Sequence, residues 1–369
     1  MADSSNSEFV KDILTPFTKS LLADPVTLTP EDLSQAVRYI IEGQASDIQV
    51  LSFLTALRVR GLDHQALYIA AAARTVLEYS HTVDPLKVCS RGYVDIVGTG
   101  GDGQNTFNVS TSSAIVAAGM GLDICKHGGK ASTSASGAGD LMKYLGVDLF
   151  KVNNLTTPKI VLNSKFCFLF APSFHPGMAK VAKIRSNLGI PSIFNILGPL
   201  LNPVPLRARI IGVYTESLGQ VFAEAVLTMD KLNSGNRPIG STMIVWGECG
   251  LDEISPCGYT KVWKVEPLTG IITQFRISPA DFGLQEHDLE SVRSGTPQEN
   301  ATLLKKILNN KVQIGDPIYD YILMNAGALA VVSGLASTWK EGVNHAQTAI
   351  QNGSALQALE KFISSVNKV

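Results

Sequence analysis

Four glycines within six residues, Gly98, Gly100, Gly101 and Gly103, follow the apolar run Tyr93–Val97 and precede Asn108-Val109-Ser110-Thr111, where an apolar helical pattern begins. Glycine lets the backbone take positive φ and bring its N–H groups close to a ligand, while the first turn of a helix leaves donors unpaired. Asn, Ser and Thr at that turn suit the same place. What such residues can do is hold an anion, phosphate above all. A second segment, KHGGKASTSASGAGD from Lys126 to Asp140, again follows an apolar run and again precedes a helical pattern, and two such loops suit one ligand. The spacing GTGGDG is not that of a dinucleotide fingerprint, and no GKS or GKT closes it as a P-loop. A plain strand-to-helix connector is the competing reading of either loop.

Two further groups could do chemistry. Asp252 and Glu253, adjacent in GLDEIS, could hold Mg²⁺ together with substrate phosphates; the alternative is an acidic pair on a solvated turn. In HPGMAKVAKIRSNLG, the spacing predicts a helix over His175–Leu188 on which Met178, Val181, Ala182 and Arg185 fall three or four apart, so Arg185 continues an inward, largely apolar face. A buried guanidinium needs a partner, and no Asp or Glu occurs between Lys151 and Arg209. A substrate carboxylate would serve, as would a distant acid in the N-terminal helices. His127 and His175 read as shaping residues that bond substrate or hold a loop, with a purely structural histidine as the alternative. No Ser/His/Asp or Cys/His constellation is present.

The elements that must position these groups can be read from the same pattern. From Phe9 to Tyr79 the signals are helical: Thr29-Pro30-Glu31-Asp32 is a cap, Ser46-Asp47 repeats it, and Asp63 opens HQALYIAAAARTVLEYS. This bundle carries no evident catalytic group, and His64 and His81 are expected at its surface. Strands are expected at Tyr93–Val97, Leu122–Cys125, Phe166–Phe170, Arg209–Val213 and Met243–Trp246, with helices between them, which implies a parallel, covered sheet. The segment Asn233–Ser241 reads as a surface loop, Tyr259–Arg276 as a strand pair about residues 267–270, and the chain from Gln298 onward as helices. The fold class is therefore α/β, a small helical N-terminal unit beside a larger unit with a mostly parallel sheet.

With 369 residues, 45% hydrophobic, the chain can bury a large core and divide into two domains. A formal charge of −1 without a basic tract speaks against nucleic acid or anionic membrane as the main partner. Five cysteines without CxxC or Cys/His ligand spacing suggest neither a disulfide framework nor a zinc site. MADSSNSEFVKDIL lacks a signal pattern and no apolar run reaches spanning length, so a cytoplasmic location is expected.

At GTGGD with its N-x-S-T continuation, at the K-H-G loop, at FAPSFHPGMAKVAKIRSNLGIPSIFNILGPLLNP and at GLDEIS, in order and at like spacing, the chain resembles the anthranilate phosphoribosyltransferases. The resemblance covers about residues 10 to 350 and implies transfer of the phosphoribosyl group of phosphoribosyl pyrophosphate to the amine of anthranilate, in tryptophan synthesis. It implies a helical domain over 1–88, completed by about 174–196 through hinge segments, and an α/β donor-binding domain over 89–369. Carried over residue by residue, it implies that Gly98, Gly101, Asp102, Thr106, Asn108, Val109, Ser110, Thr111, and Lys126, His127, Gly128, Gly129, Lys130, Ala131, Ser132, Thr133 and Ser134 bind the sugar donor. Gly98, Gly129, His175, Met178 and Arg185 would meet anthranilate, Arg185 holding it, and Ser110, Asp252 and Glu253 would serve Mg²⁺. His127 and Arg185 would position, without a strong acid or base, since the aromatic amine already carries its lone pair. A homodimer through the helical domain is also implied. Many relatives read KHGNR where this chain has KHGGK, so Gly129 is carried over only as a backbone contact and Lys130 loses the guanidinium fork. HPGM has glycine where alanine is more usual. Rival readings are a pyrimidine nucleoside phosphorylase of the same superfamily and a non-catalytic nucleic-acid-binding relative.

Overall fold

Thr29 opens a helix with a reciprocal cap: its Oγ1 accepts from Asp32 N at 3.1 Å, and Asp32 Oδ2 accepts from Thr29 N at 3.0 Å. The helix that follows, α2 (Pro30–Glu42), buries Leu33, Ala36, Val37, Ile40 and Ile41, the stripe that a 3.6-residue period allows. The computed structural model describes residues 12–129, 137–232, 240–266 and 268–369. Before α2 stands α1 (Thr15–Leu22); after it come α3 (Asp47–Val59), capped by Ser46 Oγ, and α4 (Ala66–Glu78). Asp63 does not open α4: it lies in a short 3₁₀ turn, Leu62–His64, where its buried carboxylate pairs with Arg58 instead of capping.

The chain then alternates: β1 (Tyr93–Gly98), α5 (Val109–Gly119), β2 (Ile124–Gly128), α6 (Ala138–Tyr144), α7 (Thr157–Ser164), β3 (Phe166–Phe170), α8 (Ala171–Phe174), α9 (Met178–Leu188), α10 (Ile193–Ile196), β4 (Leu206–Gly212), α11 (Ser217–Leu232), β5 (Ser241–Gly247), β6 (Thr260–Glu266) and β7 (Ile271–Ile277). Helices α12 (Pro297–Leu308), α13 (Pro317–Val332), α14 (Trp339–Gln351) and α15 (Ser354–Asn367) complete it. The sheet order is β3-β2-β1-β4-β5-β6-β7; the first five strands are parallel and the last two antiparallel. An α/β chain with a helical N-terminal unit and a mostly parallel covered sheet is what the patterning called for.

Several boundaries differ from the expectation. β2 begins at Ile124 and runs on through Lys126, His127 and Gly128, paired with Phe168, Leu169 and Phe170, so three residues read as loop are strand. Polar residues are admitted there because tertiary partners receive them, as described below. β4 and β5 are longer than expected, and Ser241, assigned to a loop, starts β5; positions 233–239 of that loop lie outside the described residues. The helix expected over His175–Leu188 begins only at Met178, as α9, and His175 lies before it, between α8 and α9.

Each face of the sheet carries its own core. One includes Ile96, Ile124 and Phe168 with α5, α13 and α15; the other joins α2, α3 and α4 to Val181 and Ile184 of α9, to Ile211 and Ile244 of the sheet, and to Phe222 of α11. The chain moves outward from β1 through β2 to β3, then returns through α8–α10 to place β4 on the other side of β1. Strand order reverses at β1/β4, and a crevice outside the strand ends at such a point is where open α/β sheets bind ligands.

Candidate active site

Beyond the carboxyl ends of β1, β2 and β4 lies a cavity of about 1000 Å³. The glycine loop after β1 forms one wall, through Gly98, Thr99, Gly100 and Gly101. Gly100, Gly101 and Gly103 take φ of 69°, 85° and 70°, which favours glycine. Gly98 is a correction: its φ is not positive, and it must lack a Cβ because that atom would collide with the Asp252 carboxylate. The same turn presses its Asp252 carbonyl where a Cβ on Gly212 would sit.

This close approach joins the acidic turn to the glycine loop. Asp252 Oδ2 accepts from Gly100 N at 2.6 Å, and Asp252 is held up to about 7 by burial and by the charge of Asp102. Burial, then the Asp252 charge, raises half-buried Glu253 well above the carboxylate range, against the opposing effect of the Ser110 hydroxyl. Asp102, raised by burial, also accepts from Gln104 N at 3.1 Å. Asp102 raises the proton affinity of Asp252, and both raise that of Glu253, a setting in which a divalent cation is stabilising. Among the described residues no three His, Cys, Asp or Glu groups form a ready-made ligand cage. Mg²⁺ is commonly held by one or two carboxylates, which the Asp252–Glu253 pair can supply, together with water and substrate phosphates.

Asn108 caps α5, its Oδ1 accepting from Thr111 N at 3.1 Å, and Val109 is buried. Ser110 and Thr111 are buried in the first turn, and Thr111 Oγ1 has no hydrogen-bond partner. Thr106 pairs with Arg293 in an isolated bridge. Lys126 is buried rather than lining the cavity: it is 2% exposed, and its Nζ donates to Ile96 O at 2.8 Å and His127 O at 3.3 Å. Burial lowers its pKa against the opposing charges of Asp95, Glu253 and Asp252. Asp95, missed in the sequence, accepts from Asn202 Nδ2 at 2.8 Å and from the backbone N–H of Ile96 and His127. Gly128 and Gly129 line the cavity, and a Cβ on Gly129 would meet nothing within 4 Å. Lys130, Ala131, Ser132, Thr133 and Ser134 lie outside the described residues.

His127 and His175 come together although 48 residues separate them. Their Nε2 atoms are 3.0 Å apart and the rings meet edge to face. Gly198 O, 3.2 Å from His127 Nδ1, can only accept, so that nitrogen carries the proton and His127 Nε2 accepts from His175 Nε2–H. His175 Nδ1 lies 2.7 Å from the Ser80 hydroxyl, which also donates to Val76 O at 2.6 Å. Burial holds His127 well below the ordinary imidazole range and lowers His175 to about 4, so both are neutral at pH 7.

The face of α9 is turned from the expectation. Val181 and Ile184 point into the core, while Met178, Ala182 and Arg185 line the cavity. The breaks on either side of His175 set that phase. Arg185 Nε donates to Asn195 Oδ1 at 3.2 Å, and among the described residues no carboxylate pairs with it. The helical unit contributes as well: Arg58 and His64, expected to be inert, line the wall with Tyr214. Arg58 Nη1 donates to Asp63 Oδ2 at 3.0 Å and to His64 Nε2 at 2.6 Å. Tyr214 follows β4 at its carboxyl end, and that position was the one available signal for it; Arg58, His64 and Asn195 carry no local signal.

The helical-bundle domain of a glycosyl transferase family matches residues 15–80, and that family's a/b domain matches residues 90–356. The anthranilate phosphoribosyltransferase of Saccharomyces cerevisiae is 49% identical over 96% of this chain and 99% of that protein. Its counterpart in Schizosaccharomyces pombe is 48% identical over 90% of this chain and 91% of that one. A structure of the S. cerevisiae enzyme in complex with PRPP and Mg superposes with a TM-score of 0.90 at 48% identity, covering 98% of this chain and 99% of that one. Another, in complex with 4-fluoroanthranilate, gives 0.87 at 45% identity, with the same coverage. The chain belongs to the anthranilate phosphoribosyltransferase family.

Proposed function

We infer that this chain transfers the phosphoribosyl group of 5-phosphoribosyl 1-pyrophosphate to the amine of anthranilate, giving N-(5-phosphoribosyl)anthranilate and pyrophosphate in tryptophan biosynthesis. The observation that carries the reading is one cavity with the glycine loop after β1 at one side and, at the other, the Arg185 guanidinium, which among the described residues has no carboxylate partner. The first side suits phosphates and the second suits the carboxylate of anthranilate.

In this reading the amides of Gly98–Gly101, the first turn of α5 and the 126–134 segment hold the donor. Asp252 and Glu253, with Ser110, would hold Mg²⁺, which when bound neutralises charge on the departing pyrophosphate. As that bond breaks, positive charge spreads over C1 and the ring oxygen of the sugar. The neutral His127–His175 pair on the cavity wall adds no opposing positive charge and keeps that wall in shape. Arg185, steadied by Asn195, orients anthranilate so that its amine faces C1, and Met178 and Gly129 border the ring. Positioning supplies the catalysis. The same proposal has the enzyme act in the cytoplasm as a homodimer through its helical unit, where Ile48 and Val59 are 77% and 78% exposed.

Incubation with anthranilate, phosphoribosyl pyrophosphate and Mg²⁺ should abolish anthranilate fluorescence; persistence of fluorescence at micromolar enzyme would overturn the reading. Replacing Asp252→Asn with Glu253→Gln should remove most activity while circular dichroism stays parental. A parental rate and Mg²⁺ dependence in that double variant would remove these carboxylates from the metal site.

A further inference from the structure

Tyr321 stands on α13 with no exposed surface, and its phenolic oxygen has no hydrogen-bond partner. A buried hydroxyl left unpaired is costly, and nearly all such groups in folded proteins meet protein, water or an ion. Two hydrogen bonds fix what surrounds it. One turn along α13, Asn325 Nδ2 donates to Ile254 O, the carbonyl next to Glu253, at 3.2 Å. On the other side, Ser113 Oγ of α5 donates to Ile322 O at 3.1 Å, three residues from Ser110 on its own helix. Tyr321 is thus clamped between the turn that carries Asp252 and Glu253 and the helix that carries Ser110. Of the charges that bear on its phenol, Glu253 is the strongest, ahead of Asp252 and Asp102, and the Thr106 hydroxyl stands beside it outside hydrogen-bond geometry.

We propose that Tyr321 is a positioning residue for the magnesium site: its unpaired O–H, buried on a helix that is bonded both to the acidic turn and to α5, donates to the Glu253 carboxylate in the loaded enzyme and orients that carboxylate toward the ion. A carboxylate bound to a cation keeps lone pairs for such a donor, and donors behind metal-binding groups fix their orientation. The proposal rests on Asp252 and Glu253 as the metal-holding pair. Of the two adjacent acids, it assigns the phenol to Glu253, since Asp252 Oδ2 is already bonded to Gly100 N.

Tyr321→Phe removes one oxygen and leaves the ring in the core. Calorimetric Mg²⁺ titration in the presence of phosphoribosyl pyrophosphate, without anthranilate, should show a midpoint raised about tenfold. Melting temperature without Mg²⁺ should stay the same or rise, because the variant no longer buries an unpaired hydroxyl, while the gain on adding Mg²⁺ and donor should shrink. A parental midpoint would overturn the proposal. So would an equal loss of melting temperature with and without Mg²⁺, which is what a purely structural tyrosine gives. Asp252→Asn with Glu253→Gln, titrated in parallel, separates the two readings. If that double variant keeps the parental midpoint, the metal site itself is misassigned; if it loses Mg²⁺ while Tyr321→Phe does not, only the role of Tyr321 falls.

Discussion

Arg185 reaches the cavity with Nε already bonded to Asn195, so the two terminal nitrogens remain for a ligand, and their planar fork matches a carboxylate. Arg185→Ala should raise KM for anthranilate far more than for the sugar donor, and loss of one charge-assisted contact of about 1.5 to 3 kcal/mol implies about ten- to hundredfold in kcat/KM. Arg185→Lys should recover part of it, because a point charge lacks the fork. Equal weakening toward both substrates, or a fall in melting temperature matching the lost activity, would assign Arg185 to structure. This residue could be found in the sequence because its chain neighbourhood, 151 to 209, offers it no acid. The direction of its face could not, because the phase of α9 is set by the breaks at His175 and Gly177, and these depend on where His175 docks. Asn195, Arg58 and His64 were invisible for the same reason: each acts through partners distant in the chain, and nothing in their own spacing points to the cavity.

At the scale of elements, the acidic turn is positioned by what two strands omit. β1 and β4 end side by side in Gly98 and Gly212, paired in register, and the turn at Asp252 fills the space where two Cβ atoms would stand. Gly212→Ala should therefore push the Asp252 carbonyl aside, weakening the Mg²⁺ response and lowering melting temperature together. Gly129→Ala, in open space, should leave stability within about 0.5 kcal/mol of parental and melting temperature nearly unchanged. Equal melting temperatures for both variants would show that the turn is not wedged by these strands. The glycines were legible as a loop signal, but the reason for Gly98 was not, since it belongs to a turn about 150 residues away. β3 was read to the residue because Phe166–Phe170 is buried throughout and apolar throughout. β2 was cut short because Lys126 and His127 break the apolar run; they are tolerated in a strand by the carbonyls of Ile96 and Gly198, contacts that exist only once the sheet has formed.

Across the whole molecule, the histidine pair lies where three parts of the chain converge. Ser80 comes from the end of the N-terminal helices, His175 and Gly198 from the segments that leave and rejoin the sheet, and His127 from β2. In the neutral pair His127 Nδ1–H donates to Gly198 O and His175 Nε2–H to His127, and the Ser80 hydroxyl stands between His175 Nδ1 and Val76 O. Both rings titrate below an ordinary imidazole in the folded protein, His175 at about 4, so between about pH 6.5 and 4 the unfolded chain binds more protons than the native one. Stability therefore rises with pH through that window and falls as pH drops, with a slope approaching about 1.4 kcal/mol per pH unit for each such ring. The sign is that of a group kept neutral by burial. Urea unfolding of the parent from pH 7 to 4.5 should show this decline, and His175→Gln, uncharged throughout, should flatten it even though its stability at pH 7 is lower. If parent and variant decline in parallel, the acid sensitivity comes from other groups, and the pair is not what couples the helical unit to the sheet at low pH.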